Sequence, residues 1–250
     1  RSNGLYTYIV PDIAYHYDKL VTRNFDIAIN ILGADHHGYV PRLKAALTAL
    51  GVDASKLDVI LMQMVRLVRN GETVKLSKRS GKAITLVTLL DEIPIDAARF
   101  YFNLREANSQ FEFDLDLAVE KSSQSPVFYV QYAHARICSI IKALMSSGVA
   151  LRECSTDELM LLSSDEEKDL INHLALFENE IVTSAKSYDP TVITKYVTQL
   201  ATLFHRFYNA CRVKGDNESL TAARLMLCNC AKTVIASILE MFNIDAPEVM

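Results

Sequence analysis

The sequence predicts an α/β segment followed by an all-α segment. Three observations carry that expectation. A strand–glycine–helix–strand series occupies the first 90 residues, an Asn-Gly turn follows it, and from about Leu86 the apolar residues adopt helical spacing.

Taken in order, Asp12–Leu20 (DIAYHYDKL) sets Ile13, Tyr17 and Leu20 at helical spacing. Asp26–Leu32 (DIAINIL) is a short isoleucine-rich strand met at once by Gly33. A helix from about Tyr39 to Leu50 comes next and Gly51 ends it. Asp58–Val68 (DVILMQMVRLV) reads as a second buried strand, and RNGET supplies a hairpin turn. Strand, loop, helix, strand is the order of a parallel nucleotide-binding sheet, of which about half is present.

Beyond Leu86 the pattern is helical. Ser125 and Pro126 form an N-cap followed by proline at the first helical position, and that helix runs to about Ser147, where Gly148 closes it. Ser164 with Glu167 is a capping box for the next helix. Asp189-Pro190 opens another, with Ile193, Val197, Leu200, Phe204, Phe207 and Cys211 on one stripe. The last, about Leu220 to Phe242, presents Leu227, Ala231, Val234, Ile238 and Phe242. These helices read as an antiparallel bundle.

The chain has 250 residues and a net charge of −4, with 50% hydrophobic and 22% charged residues, ordinary for a globular protein. Unbroken apolar runs such as Val59–Met62 are far too short to span a bilayer. Arg1 brings neither an initiator methionine nor a secretory pattern, so the sequence reads as a fragment of a longer protein. Five cysteines (138, 154, 211, 228 and 230) without a C-x-x-C pair argue against a disulfide framework or a zinc site. They point to a reducing cytoplasm, with each cysteine a small core residue.

Charge is uneven. Residues 66–82 hold six basic residues and one acid, residues 121–152 four basic residues and no acid, and residues 153–180 nine acids against Lys168 alone. Local basic surfaces can bind a polyanion despite an acidic total, because screening makes the nearby field dominate. Solvated helix faces would produce the same blocks.

Four stretches carry candidate chemistry. In GADHHG (Gly33–Gly38) the glycines permit close backbone approach at the carboxyl edge of a sheet, where ligands bind. Asp35 suits a ribose hydroxyl, and His36 and His37 can orient a substrate. Adjacent histidines without a Cys or carboxylate cluster make a poor metal pair, so no metal site is predicted. In YIVPD, Asp12 is either a helix cap or a carboxylate directed into the same cleft, where it would grip a planar guanidinium. VKLSKRSGKAITL (Val74–Leu86) concentrates Lys75, Lys78, Arg79 and Lys82 around Ser77 and Gly81. It is no Walker loop, and it reads as a solvated basic turn or a phosphate clamp.

In YVQYAHAR (Tyr129–Arg136), Tyr129, Tyr132 and Arg136 share one helical stripe. Val127, Val130, Ile137, Ile141 and Leu144 form another, with His134 beside them as a satisfied core histidine. Aromatic rings with an interleaved guanidinium suit unstacked RNA bases or a second packing layer. A later helix repeats the style with Lys195, His205, Arg206, Tyr208, Asn209 and Arg212.

DIAYHYDK, GADHHGYVPR, LSKRSG, DAARFYF, PVFYVQYAHARI and IDAPEVM resemble, in order and spacing, the C-terminal half of bacterial-type arginyl-tRNA synthetases. The resemblance covers essentially all 250 residues. It implies the C-terminal half of a class I Rossmann-type nucleotide-binding domain, then a helical DALR-type anticodon-binding domain. The implied division is 1–90 (catalytic, with a KMSKS-like loop), 91–124 (helical connector touching the tRNA stem) and 125–250 (anticodon-binding). It also implies arginine–tRNA ligase activity with ATP and Mg2+, L-arginine and tRNA-Arg as partners, and a cytoplasmic monomer off the membrane.

Residue by residue, KLSKR stands where the family has KMSKS, so Lys75 and Lys78 would stabilise ATP phosphates in the transition state, beside Ser77. Gly33, Asp35 and His36 would lie by the nucleotide. Tyr8, Asp12 and His36 would hold arginine. Tyr129, Tyr132, Arg136, Tyr208 and Met250 would touch the anticodon loop. The half bearing the family's HIGH motif has no counterpart in these residues, so the isolated chain is expected not to aminoacylate. A tRNA-binding module without charging activity, or a class I synthetase of another specificity, remain open alternatives. Tyr8 and Asp12 favour a cationic amino acid.

Overall fold

The structure, a computed structural model, describes residues 4–74 and 85–250. The backbone divides into two compact units, one of residues up to Arg66 with Glu106–Glu112, the other of Leu67–Arg105 with Phe113–Met250.

In the first unit, α1 (Ile9–Tyr17) runs into a π-helical turn, Asp18–Thr22. β1 (Ala28–Gly33) and β2 (Leu57–Met62) pair in parallel, from Ala28 opposite Leu57 to Gly33 opposite Met62. α2 (Val40–Ala49) is the crossover between them. Leu20, Ala28, Leu43, Leu47, Val52 and Leu57 form the buried cluster, with Ile13, Tyr39, Ala54 and Val59 packed on it. Burying these side chains is the main force ordering the unit.

The predicted strand over 58–68 is two strands. β2 stops at Met62 because the Gln63 N–H donates to the Ala107 carbonyl at 2.7 Å, which takes the chain out of the first ladder. β3 (Val65–Arg69) then turns through Asn70 and Gly71 into β4 (Glu72–Thr73), antiparallel to it. Asn70 and Gly71 both have positive φ, the two-residue hairpin turn that the Asn-Gly pair predicts. β5 (Phe111–Asp114) completes a sheet in the order β4-β3-β5.

The second unit is helical: α3 (Leu86–Glu92), α4 (Ile95–Phe102), α5 (Leu115–Val119), α6 (Pro126–Ser146), α7 (Thr156–Leu159), α8 (Asp165–Ala175), α9 (Phe177–Ser187), α10 (Thr191–Ala210) and α11 (Glu218–Met241). The Asp189 carboxylate accepts from the Thr191 N–H at 3.0 Å and so starts α10. The predicted α10 stripe from Ile193 to Cys211 is buried throughout, and α10 packs against α6, α8, α9 and α11. α11 buries Leu227, Cys228, Ala231, Ile235, Ile238 and Leu239, whereas the predicted Val234 and Phe242 are half-buried. By length and composition α11 could cross a membrane although its unbroken apolar runs are short, but half of that stretch is buried inside the bundle, as in a core helix. Only Cys211 and Cys228 are core residues; Cys138 and Cys154 are half-buried, Cys230 is exposed, and all five thiols are free.

The tail beyond α11 is tied down. Arg99 donates to the Asn243 carbonyl, and Asp96 accepts from the Asp245 N–H at 3.2 Å and from Gln131 Nε2 at 3.0 Å. His134, which is 5% exposed, donates through Nδ1 to the Pro247 carbonyl at 2.8 Å, the satisfied core histidine that was expected.

The Ser164–Glu167 capping box is present, and its carboxylate also reaches across the bundle. Glu167, 1% exposed, accepts from Arg224 Nε at 2.7 Å and from the Ser164 N–H at 2.9 Å. Burial by itself would raise the Glu167 carboxyl, but the Arg224 guanidinium and the Ser164 cap hold it below its ordinary value of 4.5. A lowered carboxyl stabilises the fold fully above its ordinary titration range, and the contribution fades as pH falls through the folded value. Arg224→Ala leaves a buried charge and is expected to cost about 3 kcal/mol. Urea unfolding at neutral pH reads that loss, and the acid-unfolding midpoint should move to higher pH; a cost below about 0.5 kcal/mol, within the range of a surface substitution, would show the pair to be inert.

Candidate functional site

Each unit carries one constellation. In the first, β1 ends at Gly33 and the chain passes through a 3-10 turn, Ala34–His36, into α2. Gly33 has an extended backbone, so φ does not demand glycine there. A Cβ at that position would stand 2.5 Å from Asp35 Oδ1, so any larger residue would swing Asp35 away. Gly38 has open space around it. The Asp35 side chain is 85% exposed and stands 3.9 Å from His36 Nε2, a loose pair at most.

Asp12 does not cap α1, which begins three residues earlier. Its carboxylate accepts instead from the Tyr39 hydroxyl at 2.5 Å. Tyr39 stands at the start of α2, its ring 5.6 Å from Tyr8 and 6.1 Å from His36. Tyr39 therefore gathers the three residues expected to hold arginine. Burial, then the Asp12 hydrogen bond and the Asp12 charge, push its phenol well above the ordinary range, so it remains a donor. The sequence reading missed Tyr39; the only signal was its place in GADHHGYVPR, one helical turn after His36.

Behind Asp12 lies a second tie. His16, 2% exposed, donates from Nδ1 to the Asp12 carbonyl at 2.7 Å and accepts at Nε2 from Asn30 Nδ2 at 2.6 Å. Lys19 donates to Asn30 Oδ1 at 3.3 Å, with its ammonium 4.0 Å over the Tyr15 ring. The backbone that bears Asp12 is thus pinned to β1. Lys75, Ser77 and Lys78 lie outside the described residues.

In the second unit, α6 and α10 flank a cavity of about 370 Å³. Tyr129, Tyr132 and Arg136 line it from α6, His205 and Asn209 from α10. Tyr132 lies between Phe128, parallel at 6.3 Å, and His205, near-parallel at 5.9 Å. Tyr129 is 5.1 Å from His205. The Arg136 guanidinium stands 4.4 Å from the Tyr208 ring and 5.9 Å from Tyr132, and among the described residues no carboxylate pairs with it. Further hollows continue along the seam, one bounded by Tyr208, Asn209, Arg212 and Lys214, the next by Lys214, Ser147 and Arg152 together with Asp216 and Glu218.

Four of the five expected anticodon residues therefore share one surface. Met250 does not line that cavity. Its tail is anchored on Gln131 and His134, a stripe of α6 turned well over 90° from Tyr129, Tyr132 and Arg136 at 100° per residue. His205 and Asn209 are the additions the structure makes to this set.

Residues 130–250, which hold the long-helix bundle with this aromatic and cationic seam, match the family model of the DALR anticodon binding domain. Over all 250 residues the chain is similar to the C-terminal part of arginine–tRNA ligases, with 52% identity to that of Caldanaerobacter subterraneus subsp. tengcongensis, 44% of which is covered. A solved Campylobacter jejuni structure superposes with a TM-score of 0.85 and 33% identity over 100% of this chain and 54% of that one. Thermus thermophilus arginyl-tRNA synthetase has the same fold, with a TM-score of 0.82 at 24% identity over 100% of this chain and 50% of that one. The chain spans less than half the length of the curated relatives it matches.

The Asp12–Tyr39 bond should appear as a coupling energy. In a double-mutant cycle of Asp12→Asn and Tyr39→Phe, unfolding of the first unit is expected to give about 1–2 kcal/mol of interaction. Additive single effects would show that the bond does not form in solution.

Proposed function

We propose that this chain is the arginine- and anticodon-binding part of an arginine–tRNA ligase acting in the cytoplasm as a monomer. The reaction joins arginine to ATP, entering with Mg2+, as an adenylate with release of pyrophosphate. The arginyl group then passes to a hydroxyl at the 3′ end of tRNA-Arg and AMP leaves. The observation that carries the proposal is the carboxylate of Asp12, fixed at one oxygen by Tyr39 and flanked by Tyr8 and His36.

A carboxylate oriented in advance receives a guanidinium without first paying the entropy of ordering itself, and its oxygens retain capacity for further N–H donors. Tyr8, Asp12 and His36 take the arginine side chain. Gly33, Asp35 and His36 take the nucleotide, with Lys75, Ser77 and Lys78 at its phosphates. Charge developing on those phosphates in the transition state calls for mobile ammonium groups. Tyr129, Tyr132, Arg136 and Tyr208 take the anticodon loop, and Met250 reaches it from the tail. Residues 1–90, 91–124 and 125–250 serve as catalytic half, connector and anticodon domain. Because the chain matches only 44% of its relatives' length, charging needs the remainder of the enzyme.

Two substitutions in the full-length protein test the two ends of this proposal. Asp12→Ala is expected to cost about 2–5 kcal/mol in kcat/KM for arginine, as loss of one member of a close charge pair does, while ATP binding changes little. Equal loss for arginine and ATP would remove Asp12 from the arginine pocket. Arg136→Ala is expected to weaken binding of tRNA-Arg by about 1–3 kcal/mol with little effect on other tRNAs. If all tRNAs weaken alike and the salt slope falls by about one, Arg136 touches phosphate and not a base.

A further inference from the structure

One buried atom on the α6–α10 surface has no partner. His205 Nε2 is enclosed, yet among the described residues it makes no hydrogen bond. Buried side-chain nitrogens are nearly always paired. The bundle does not require one here, because α10 packs through its Ile193–Cys211 stripe and His205 lies off that stripe. Burial, and then the charge of Arg136, hold the imidazole below its ordinary value, which favours the neutral ring with one donor and one acceptor nitrogen.

The surroundings specify a ligand. Tyr132 and Phe128 present flat faces, and Asn209 and Arg136 line the same cavity with an amide and a guanidinium. Flat walls take a planar ring, while polar groups take the donors and acceptors on its edge. A nucleobase has both features; an apolar aromatic side chain from a protein partner lacks the edge. Tyr132 is 39% exposed, so part of its ring is open to a ligand.

We infer that His205 reads a base: its Nε2 pairs with the Watson–Crick edge of one unstacked anticodon-loop base, which stacks on Tyr132 while Asn209 completes the edge. This rests on the tRNA proposal above, and it makes His205 a specificity-determining residue in addition to Arg136.

The test is binding of this 250-residue chain to tRNA-Arg transcripts carrying each of the four bases at each anticodon-loop position. The unsubstituted chain should prefer one base at one position by roughly 10-fold or more. His205→Phe keeps the stacking ring and removes both nitrogens. It should weaken the preferred transcript roughly 10-fold and leave the other three within about 2-fold, so that preference collapses at that position alone. Unchanged preference, or uniform weakening of every transcript, overturns the inference. If His205→Phe does not fold, His205→Gln and Asn209→Ala decide: preference narrowed at the same position by both supports it, and preference left intact by both overturns it. If the unsubstituted chain binds no transcript, the tRNA proposal itself falls.

Discussion

The apolar stripe of α10 is the constraint on which the helical unit depends. Ile193, Val197, Leu200, Phe204 and Phe207 are all at most 4% exposed, and four other helices close over them. Burying five large side chains contributes on the order of 10 kcal/mol, comparable with the net stability of a whole domain. That burial fixes the rotation of α10 about its axis, because any other rotation would expose it. Once the rotation is fixed, His205, Tyr208 and Asn209 must face outward beside α6, and Tyr129, Tyr132 and Arg136 must meet them. The candidate RNA surface is what remains after the core has taken its share of each helix.

The first unit solves a different problem. A charged carboxylate on a short helix would ordinarily be mobile and fully hydrated. Asp12 is held twice: its side chain by Tyr39 and its backbone carbonyl by His16, which Asn30 of β1 fixes in turn. Each bond is modest in isolation. Together they transfer the rigidity of the parallel strands to one carboxylate, the condition under which binding a guanidinium needs little reorganisation.

Much of this was legible in the sequence, for identifiable reasons. Periodicity gave the faces of α6 and α10, because burial repeats at fixed angles along a helix. Capping gave the starts of α8 and α10, because the partners lie within three residues, whereas α6 starts at Pro126 with no cap bond from the Ser125 side chain. Tyr39 was not legible, since its partner is 27 residues away and the bond exists only once α2 packs beside α1. The break between β2 and β3 was hidden likewise, because the acceptor for Gln63 is Ala107. The unpaired nitrogen of His205 is equally invisible beforehand: spacing assigns a residue to a face and says nothing of whether its polar atoms find partners. The tail behaves the same way, and Met250 cannot be placed without knowing that Gln131 and His134 anchor the residues before it.

The charge asymmetry also acquires a physical account. The acidic block at 153–180 lies over the starts of helices: Asp157 and Glu158 in the first turn of α7, Asp165, Glu166 and Glu167 in that of α8, Glu178 and Glu180 in that of α9. There the carboxylates face the positive end of the helix dipole and unsatisfied N–H groups. Glu158 and Glu167 go further and neutralise Arg152 and Arg224, and the Glu158 carboxyl falls to about 2, first through the Arg152 hydrogen bond and then through the Ser155 cap. Those acids are therefore occupied locally, and their field is partly cancelled where it arises. Arg136 sits among aromatic rings with no such partner among the described residues, on a seam that continues past Arg212 and Lys214. Beyond a Debye length of about 8 Å the sign of the total charge matters little. A chain of net charge −4 can thus keep local positive groups unneutralised, because much of this acidic block is occupied at the starts of helices.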